Sequence, residues 1–218
     1  QRVRQVQTWD QTGWPVGLLP DGFSGNESFS VQSYYNTPGG PLKGFELTYQ
    51  QPFSFLPGFW QHFGFQANYT HVESKLQYVE SSSVSSSTRE VTTVYKENDL
   101  INMSPNSYNA TLYFDNGKFS ARISTSHRDQ YLTNILVPEL GYDLDGREIY
   151  TPDVQGKYAT TNYDFNMSYR FTKQLTLSFE AINLTDAFDD RFGGSDVQTP
   201  LKYSHTGRQY YLGARYKY

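Results

Sequence analysis

The stretch YATTNYDFNMSYRF, residues 158–171, constrains this chain more than any other. Ala159, Thr161, Tyr163, Phe165, Met167, Tyr169 and Phe171 alternate with Thr160, Asn162, Asp164, Asn166, Ser168 and Arg170. A period of two is that of an extended strand, whose side chains point in turn to opposite faces. One face here is apolar and aromatic; the other is wholly polar. The pattern restarts after TKQ, with Leu175, Leu177, Phe179 and Ala181 facing one way and Thr176, Ser178 and Glu180 the other. It recurs upstream in Phe119/Ala121/Ile123, in Tyr108/Ala110/Leu112/Phe114, in Phe63/Phe65/Ala67/Tyr69 and in Phe45/Leu47/Tyr49. No segment sustains a 3.6 period, so the chain is predicted to be all-β.

Eight strands are expected, near 1–8, 29–52 (broken at NTPGGP), 59–75, 100–115, 117–130, 157–171, 174–184 and 207–218. Three connections are tight: SFLPG, DNGK and TKQ. DNGK carries the Asn-Gly signal of a two-residue hairpin. Four are long: 9–28, 76–99, 131–156 and 185–206, and the Ser-rich SSSVSSST reads as a solvated tip in one of them. Antiparallel neighbours then put the tight turns at one end and the long loops at the other. Phe53, Phe114, Phe171 and Tyr218 gather at the tight-turn end, as in the ring belt of a membrane interface.

Aromatic residues make up 17% of the 218, yet mean hydropathy is −0.66. That combination fits strands with one greasy and one wet face. A soluble sandwich, such as a carbohydrate-binding β-protein, is the competing reading. Its strands are usually 5–6 residues, far shorter than FWQHFGFQANYTHVES, and its polar faces are less uniform. In a membrane every strand must be paired, because an open edge leaves backbone groups unsatisfied in hydrocarbon. Eight strands either close a small barrel, structural or lipid-modifying, or form part of a larger wall. The net charge of −4 speaks against a nucleic-acid binder. The absence of cysteine removes disulfides, thiolate metal sites and a thiol nucleophile. Nothing at the start reads as a targeting segment, so the chain reads as mature or as a piece of a longer one.

GGPLKGFELTYQQPFSFLPGFWQHFGFQANYTHVES resembles the late barrel region of TonB-dependent outer-membrane receptors. Gly39, Gly40, Gly44 and Glu46 match that family's glycine-rich strand. The Pro57-Gly58 turn and Asn68-Tyr69-Thr70 follow in order. FEAINLTDAFDDRF resembles its penultimate strand, with Asn183, Leu184 and Thr185 at the exit, and TGRQYYLGARYKY its terminal strand. The resemblance covers most of 29–218. It implies that residues 1–218 are the last eight strands of a plugged barrel of about 22 strands, in the outer membrane of a Gram-negative bacterium. It implies no enzyme and no cofactor. It implies as partners outer-membrane lipid, an N-terminal plug domain with the early strands, TonB acting through that missing part, the barrel-assembly machinery, and a small ligand such as a carbohydrate or metal chelate. Gly213, Tyr216 and Tyr218 fill the places of the assembly signal, a terminal strand captured through its exposed edge.

His62, His71, His127 and His205 lack metal spacing and read as interface or lumen residues. DLDGRE lacks the rest of a calcium loop and reads as an acidic turn. Glu46, Asp164, Arg170, Glu180 and Arg215 are expected to pair with one another or with a plug. Ligand contacts are expected in the long loops, from Trp9, Trp14, Tyr131, Tyr142, Tyr150 and Phe192 as stacking rings and Asp143, Asp145 and Asp189 as hydroxyl acceptors. The same rings equally suit packing of the loops on themselves.

Overall fold

The computed structural model describes all residues but 1, 20, 35, 37, 85–87, 89–90, 137–139, 143–144 and 151, and gives backbone alone for 2–6, 32–33, 82–84, 91, 140–142 and 149–150. Its strands are β1 (Arg2–Gln7), β2 (Phe29–Tyr34), β3 (Leu42–Pro52), β4 (Phe63–Val84), β5 (Val91–Asp99), β6 (Asn106–Asp115), β7 (Phe119–Arg128) and β8 (Tyr131–Ile135). They continue with β9 (Leu140–Tyr142), β10 (Glu148–Tyr150), β11 (Val154–Lys157), β12 (Thr160–Arg170), β13 (Leu175–Ile182), β14 (Arg191–Gly193), β15 (Thr199–Lys202) and β16 (Gln209–Tyr216). A single helical turn, α1 (Trp9–Thr12), follows β1.

The main sheet is antiparallel, in the order β16-β13-β12-β7-β6-β4-β3, with β5 added on the upper part of β4. Strand β4 is 22 residues long, about 70 Å at 3.3 Å per residue. Its first half pairs with β3 and β6 and its second half, from Lys75, with β5. The sheet has two open edges, β3 and β16, and both are exposed almost along their whole length.

The register keeps the parities apart across the whole sheet. Phe65, Leu112, Ile123, Phe165, Ala181 and Tyr210 are successive direct partners on one face. Thr48, Asn68, Asn109, Ser126 and Asn162 are successive partners on the other. Direct partners lie about 5 Å apart, close enough for each row to act as one surface. Where bulk meets bulk on the polar face, glycine makes room: a Cβ at Gly64 would overlap the ring of Tyr113 on the neighbouring strand.

The three tight turns lie at one end, and each has a local cause. In DNGK the positive φ falls on Gly117 alone, at +81°. The Asn116 side chain accepts the N–H groups of Lys118 and Phe119. In the TKQ turn, Thr172 Oγ1 accepts from Gln174 and Leu175. Pro57 and Gly58 (φ +60°) lead into a 3₁₀ turn, Gly58–His62, that carries two more rings to this end.

The loop end departs from the sequence reading in three places. The segment expected near 1–8 does form a strand, but β1 pairs with β2 and not with the main sheet. The break expected at NTPGGP is present: β2 ends at Tyr34 and β3 starts at Leu42. The segment 76–99, read as a loop, continues β4 and returns as β5; the Ser-rich stretch enters β4 as far as Val84, and residues 85–87 lie outside the described residues. Segments 131–156 and 185–206 also hold strands: β15-β14-β11-β8 form a second sheet, and β9 and β10 a short hairpin. Polar alternation is weak in these short strands, so their pairing depends on partners far along the chain.

Candidate functional site

The wall itself is the first candidate, because each of its faces has its own chemistry. On the apolar face a belt of rings runs along the tight-turn end. Phe59, Phe63 and Phe114 meet with centroids 5.0–5.4 Å apart, Trp60 lies 5.6 Å from Phe63, and Phe119 lies 5.9 Å from Phe114. Tyr169 with Phe171, and Tyr216 with Tyr218, extend it towards β16.

Eight residues further along each strand, the same face becomes polar. Asn106 accepts from Tyr69 Oη at 2.7 Å, stands 2.8 Å from His71 Nδ1, and donates to Asp129 at 2.6 Å. His127 lies 3.0 Å from Asp129 and 2.7 Å from Thr161 Oγ1, with Tyr108 stacked on its ring. This hydrogen-bonded row crosses β4, β6, β7 and β12 at one level. From Phe63 to His71, Phe114 to Asn106, Phe119 to His127 and Tyr169 to Thr161 is about 26 Å along each strand. A tilt of about 40° makes that roughly 20 Å of height, near the 25 Å apolar band of a barrel. Two of the four histidines, His71 and His127, thus share one level of the sheet. The sequence holds the signal only as isolated polar residues breaking the apolar parity; register is what lines them up.

On the polar face two of the charges meet neutral partners within the chain. Glu46 accepts from Asn68 Nδ2, and Asp164 accepts the backbone N–H of Asn183 at 2.9 Å. Among the described residues no ion pair joins Glu46, Asp164, Arg170, Glu180 and Arg215.

Asn183 ties the exit of β13 together. It sits at φ +58°, a region Asn tolerates better than most residues. Its side chain accepts from Ala187 N–H and donates to the carbonyls of Ala187 and Gly207. Leu184 N–H reaches the Tyr163 carbonyl and Thr185 Oγ1 that of Thr161. Asn-Leu-Thr therefore fixes the 185–206 segment against β12 and against the lead into β16.

The loop residues expected to touch ligand fall into three groups. Trp9 and Trp14 belong to a cluster of the first loop: Trp9, 6% exposed, packs edge-on against Trp14 and Phe29, while Trp14 is half exposed. Tyr131, Asp189 and Phe192 converge on the second sheet. There Arg128 covers the Tyr131 ring at 3.7 Å, Lys157 binds Asp189 at 2.6 and 2.8 Å, and Phe192, 1% exposed, packs between Tyr158 and Gly156. Tyr142 and Tyr150 lie in the β9–β10 hairpin, Asp145 is exposed beside Arg147, and Asp143 lies outside the described residues. Of the terminal-strand residues, Gly213 lies opposite Ser178 and Tyr216 opposite Leu175, while Tyr218 stacks edge-on with Tyr216.

These loop sheets form a packed body. Tyr78 of β4, Ile135 of β8 and Val154 of β11 make a buried core flanked by Leu76, Ile101 and Leu132. Beside it, Asp153 binds Lys96 of β5 at 3.1 Å and takes the N–H and hydroxyl of Ser195 at 2.9 and 2.5 Å. Burial raises this carboxyl, but the Ser195 bonds and the Lys96 charge outweigh it and hold Asp153 below the usual range. The sequence reading missed this clamp, since its three members lie far apart in the chain.

A family model described as TonB dependent receptor-like, beta-barrel matches residues 1–184. No curated protein and no solved structure matches the chain.

Proposed function

Because the chain belongs to the TonB-dependent receptor β-barrel family, we propose that it is the C-terminal wall of an outer-membrane receptor that captures a ligand outside the cell and imports it with TonB-coupled energy. Members of that family are outer-membrane transporters of Gram-negative bacteria, not enzymes. The observation that carries the reading is the two-faced wall. It has a continuous apolar face bounded by rings at one end and a polar row at the other, and its opposite face is hydrophilic on every strand. Such a surface is stable only with lipid on one side and water on the other.

The rest follows from physical need. Edges β3 and β16 cannot stay unpaired in hydrocarbon, so early strands of a larger barrel close on them. A plug from the N-terminal part occupies the polar lumen and carries the contact with TonB. The terminal strand, with Gly213, Tyr216 and Tyr218, is what the assembly machinery captures. The packed loop body stands outside the cell, and its surface, with half-exposed Trp14 and exposed Asp145, meets the ligand.

The test is uptake in the native host with the full-length gene intact or deleted. A panel of labelled sugars and metal chelates is offered with and without a protonophore. Uptake of at least one that needs both the gene and the proton gradient is expected. Recovery of the protein in the soluble fraction, or uptake indifferent to the gradient, would overturn the reading.

A further inference from the structure

The tight-turn end of the wall is basic in a chain that is acidic as a whole. Lys118, Arg170, Lys173, Arg215 and Lys217 gather there against one carboxylate, Asp115, while the formal net charge of the chain is −4. That carboxylate is engaged inside its own turn, where it accepts the Gly117 N–H at 2.7 Å. All five cations are exposed, and among the described residues none has a carboxylate partner. Backbone bonds set them side by side. Arg170 N–H meets the Lys118 carbonyl at 2.8 Å, and Lys217 N–H meets the carbonyl of Gln174, next to Lys173, at 2.9 Å. Like charges held this close repel one another unless an anion lies among them.

The cations divide between the two faces. Arg170 and Arg215 are the direct partners of Thr176 on the polar face, the side of the plug. Lys118 leans the other way: its Nζ stands 5.2 Å from the ring centre of Tyr169, one of the belt rings on the apolar face. A lysine so placed keeps its stem with the rings and its ammonium at their outer edge. Lys173 is in the turn just beyond Phe171, and Lys217 lies between Tyr216 and Tyr218, the last rings of the belt.

Level and charge together name the partner. A ring belt marks the depth of the headgroups, so these lysines stand where the phosphates of a lipid leaflet lie. Their surface is continuous with the apolar face that acyl chains cover. A free phosphate would meet only exposed lysines, whereas a lipid phosphate is held at this depth by its own chains. A zwitterionic headgroup brings an amine that balances its phosphate; a headgroup without one leaves a net charge for the lysines.

We propose that this rim, through Lys118 and Lys173 with Lys217, binds anionic glycerophospholipids of the leaflet that faces away from the loop body. The proposal rests on the membrane reading above and adds which lipid the wall selects.

The test uses the full-length protein carrying this chain, reconstituted in phosphatidylcholine vesicles with a minor share of photoreactive phosphatidylglycerol or photoreactive phosphatidylcholine. After illumination and digestion, lipid adducts are counted by mass spectrometry on peptides spanning 115–123 and 167–179. At low salt, phosphatidylglycerol adducts should exceed phosphatidylcholine adducts there about fivefold, the worth of one lysine near an anionic surface. At about 0.5 M salt the excess should fall towards parity. Lys118→Gln with Lys173→Gln should bring it below about twofold, and Lys118→Arg should keep it. Arg170→Gln with Arg215→Gln, on the polar face, and Lys202→Gln, at the loop end, should each leave it within about twofold of wild type. Heat-resistant mobility on gels reports that each variant is folded. Equal labelling of the rim by the two lipids overturns the proposal and leaves the wall in lipid. An excess that survives loss of both lysines, or that moves only with Arg170 and Arg215, also overturns it. If neither lipid labels the rim or the apolar face, the membrane reading falls with it.

Discussion

Placing arginine at Phe165 tests the membrane wall directly. Phe165 pairs with Ile123 and Ala181, and its ring lies 6.3 Å from Phe179. It is four residues from Tyr169 in the ring belt and four from Thr161 in the polar row. It therefore sits at mid-height, about 13 Å along the strand from either border. An arginine at the bilayer midplane of a barrel costs about 2–4 kcal/mol, falling to about 0–1 near the interfaces. Phe165→Arg should thus cost about 2–4 kcal/mol. Asn166→Arg, one residue on, points to the polar face beside Arg122 and Glu180; it should cost less than 1 kcal/mol. The assay is a reversible denaturant titration of the full-length protein into lipid vesicles, followed by tryptophan emission and heat-resistant mobility. Equal costs at the two positions, or a larger cost at Asn166, would refute the assignment of faces. Moving the arginine to Tyr169 should lower the penalty, because that side chain can reach the headgroups.

Tyr218→Asp should reduce the amount of folded barrel in the outer membrane, while molecules that do assemble bind ligand normally; wild-type levels of assembly would reduce the ending to an ordinary edge strand. Trp14→Ala should leave assembly intact and weaken ligand binding, because that ring is half exposed in the first loop; unchanged affinity by calorimetry would leave the ring to loop packing alone. Gly64→Val should cost about 1–3 kcal/mol by overpacking against Tyr113, and adding Tyr113→Ala should recover most of it; a double-mutant titration with no recovery would show that the cost lies elsewhere. Asp153 is held below its ordinary range, so its contribution is full above about pH 4 and is lost as pH falls through its lowered value. Amide exchange in β11 and β14, corrected for intrinsic rate, should therefore quicken at pH 3 but not between pH 5 and 8, and Asp153→Asn should quicken it at neutral pH; protection unchanged at pH 3 would remove the clamp from the account.

Parity is a local property, and the sequence carried it completely. Any strand sorts its side chains in twos, so Phe165 and Asn166 were assigned to opposite faces before any pairing was known. The tight turns were legible for the same reason: Asn116, Gly117, Pro57, Gly58 and Thr172 act on backbone groups within a few residues of themselves. The family's Asn-Leu-Thr was legible as a pattern, although its job of binding Asp164, Ala187 and Gly207 was not.

What only the tertiary structure decided is the level at which each strand meets its neighbour. His71, Asn106, Asp129, His127 and Thr161 are scattered over 91 residues, counted inclusively from 71 to 161, and form a row only because the register brings them to one height. Asp153, Lys96 and Ser195 meet through loops whose short strands carry no strong alternation. Trp9 and Phe192, attractive in the sequence as ligand-stacking rings, are largely buried in packing within the loops. Alternation is fixed by the geometry of each residue, whereas levels and clamps arise from contacts between distant segments and are settled only when the whole sheet has formed.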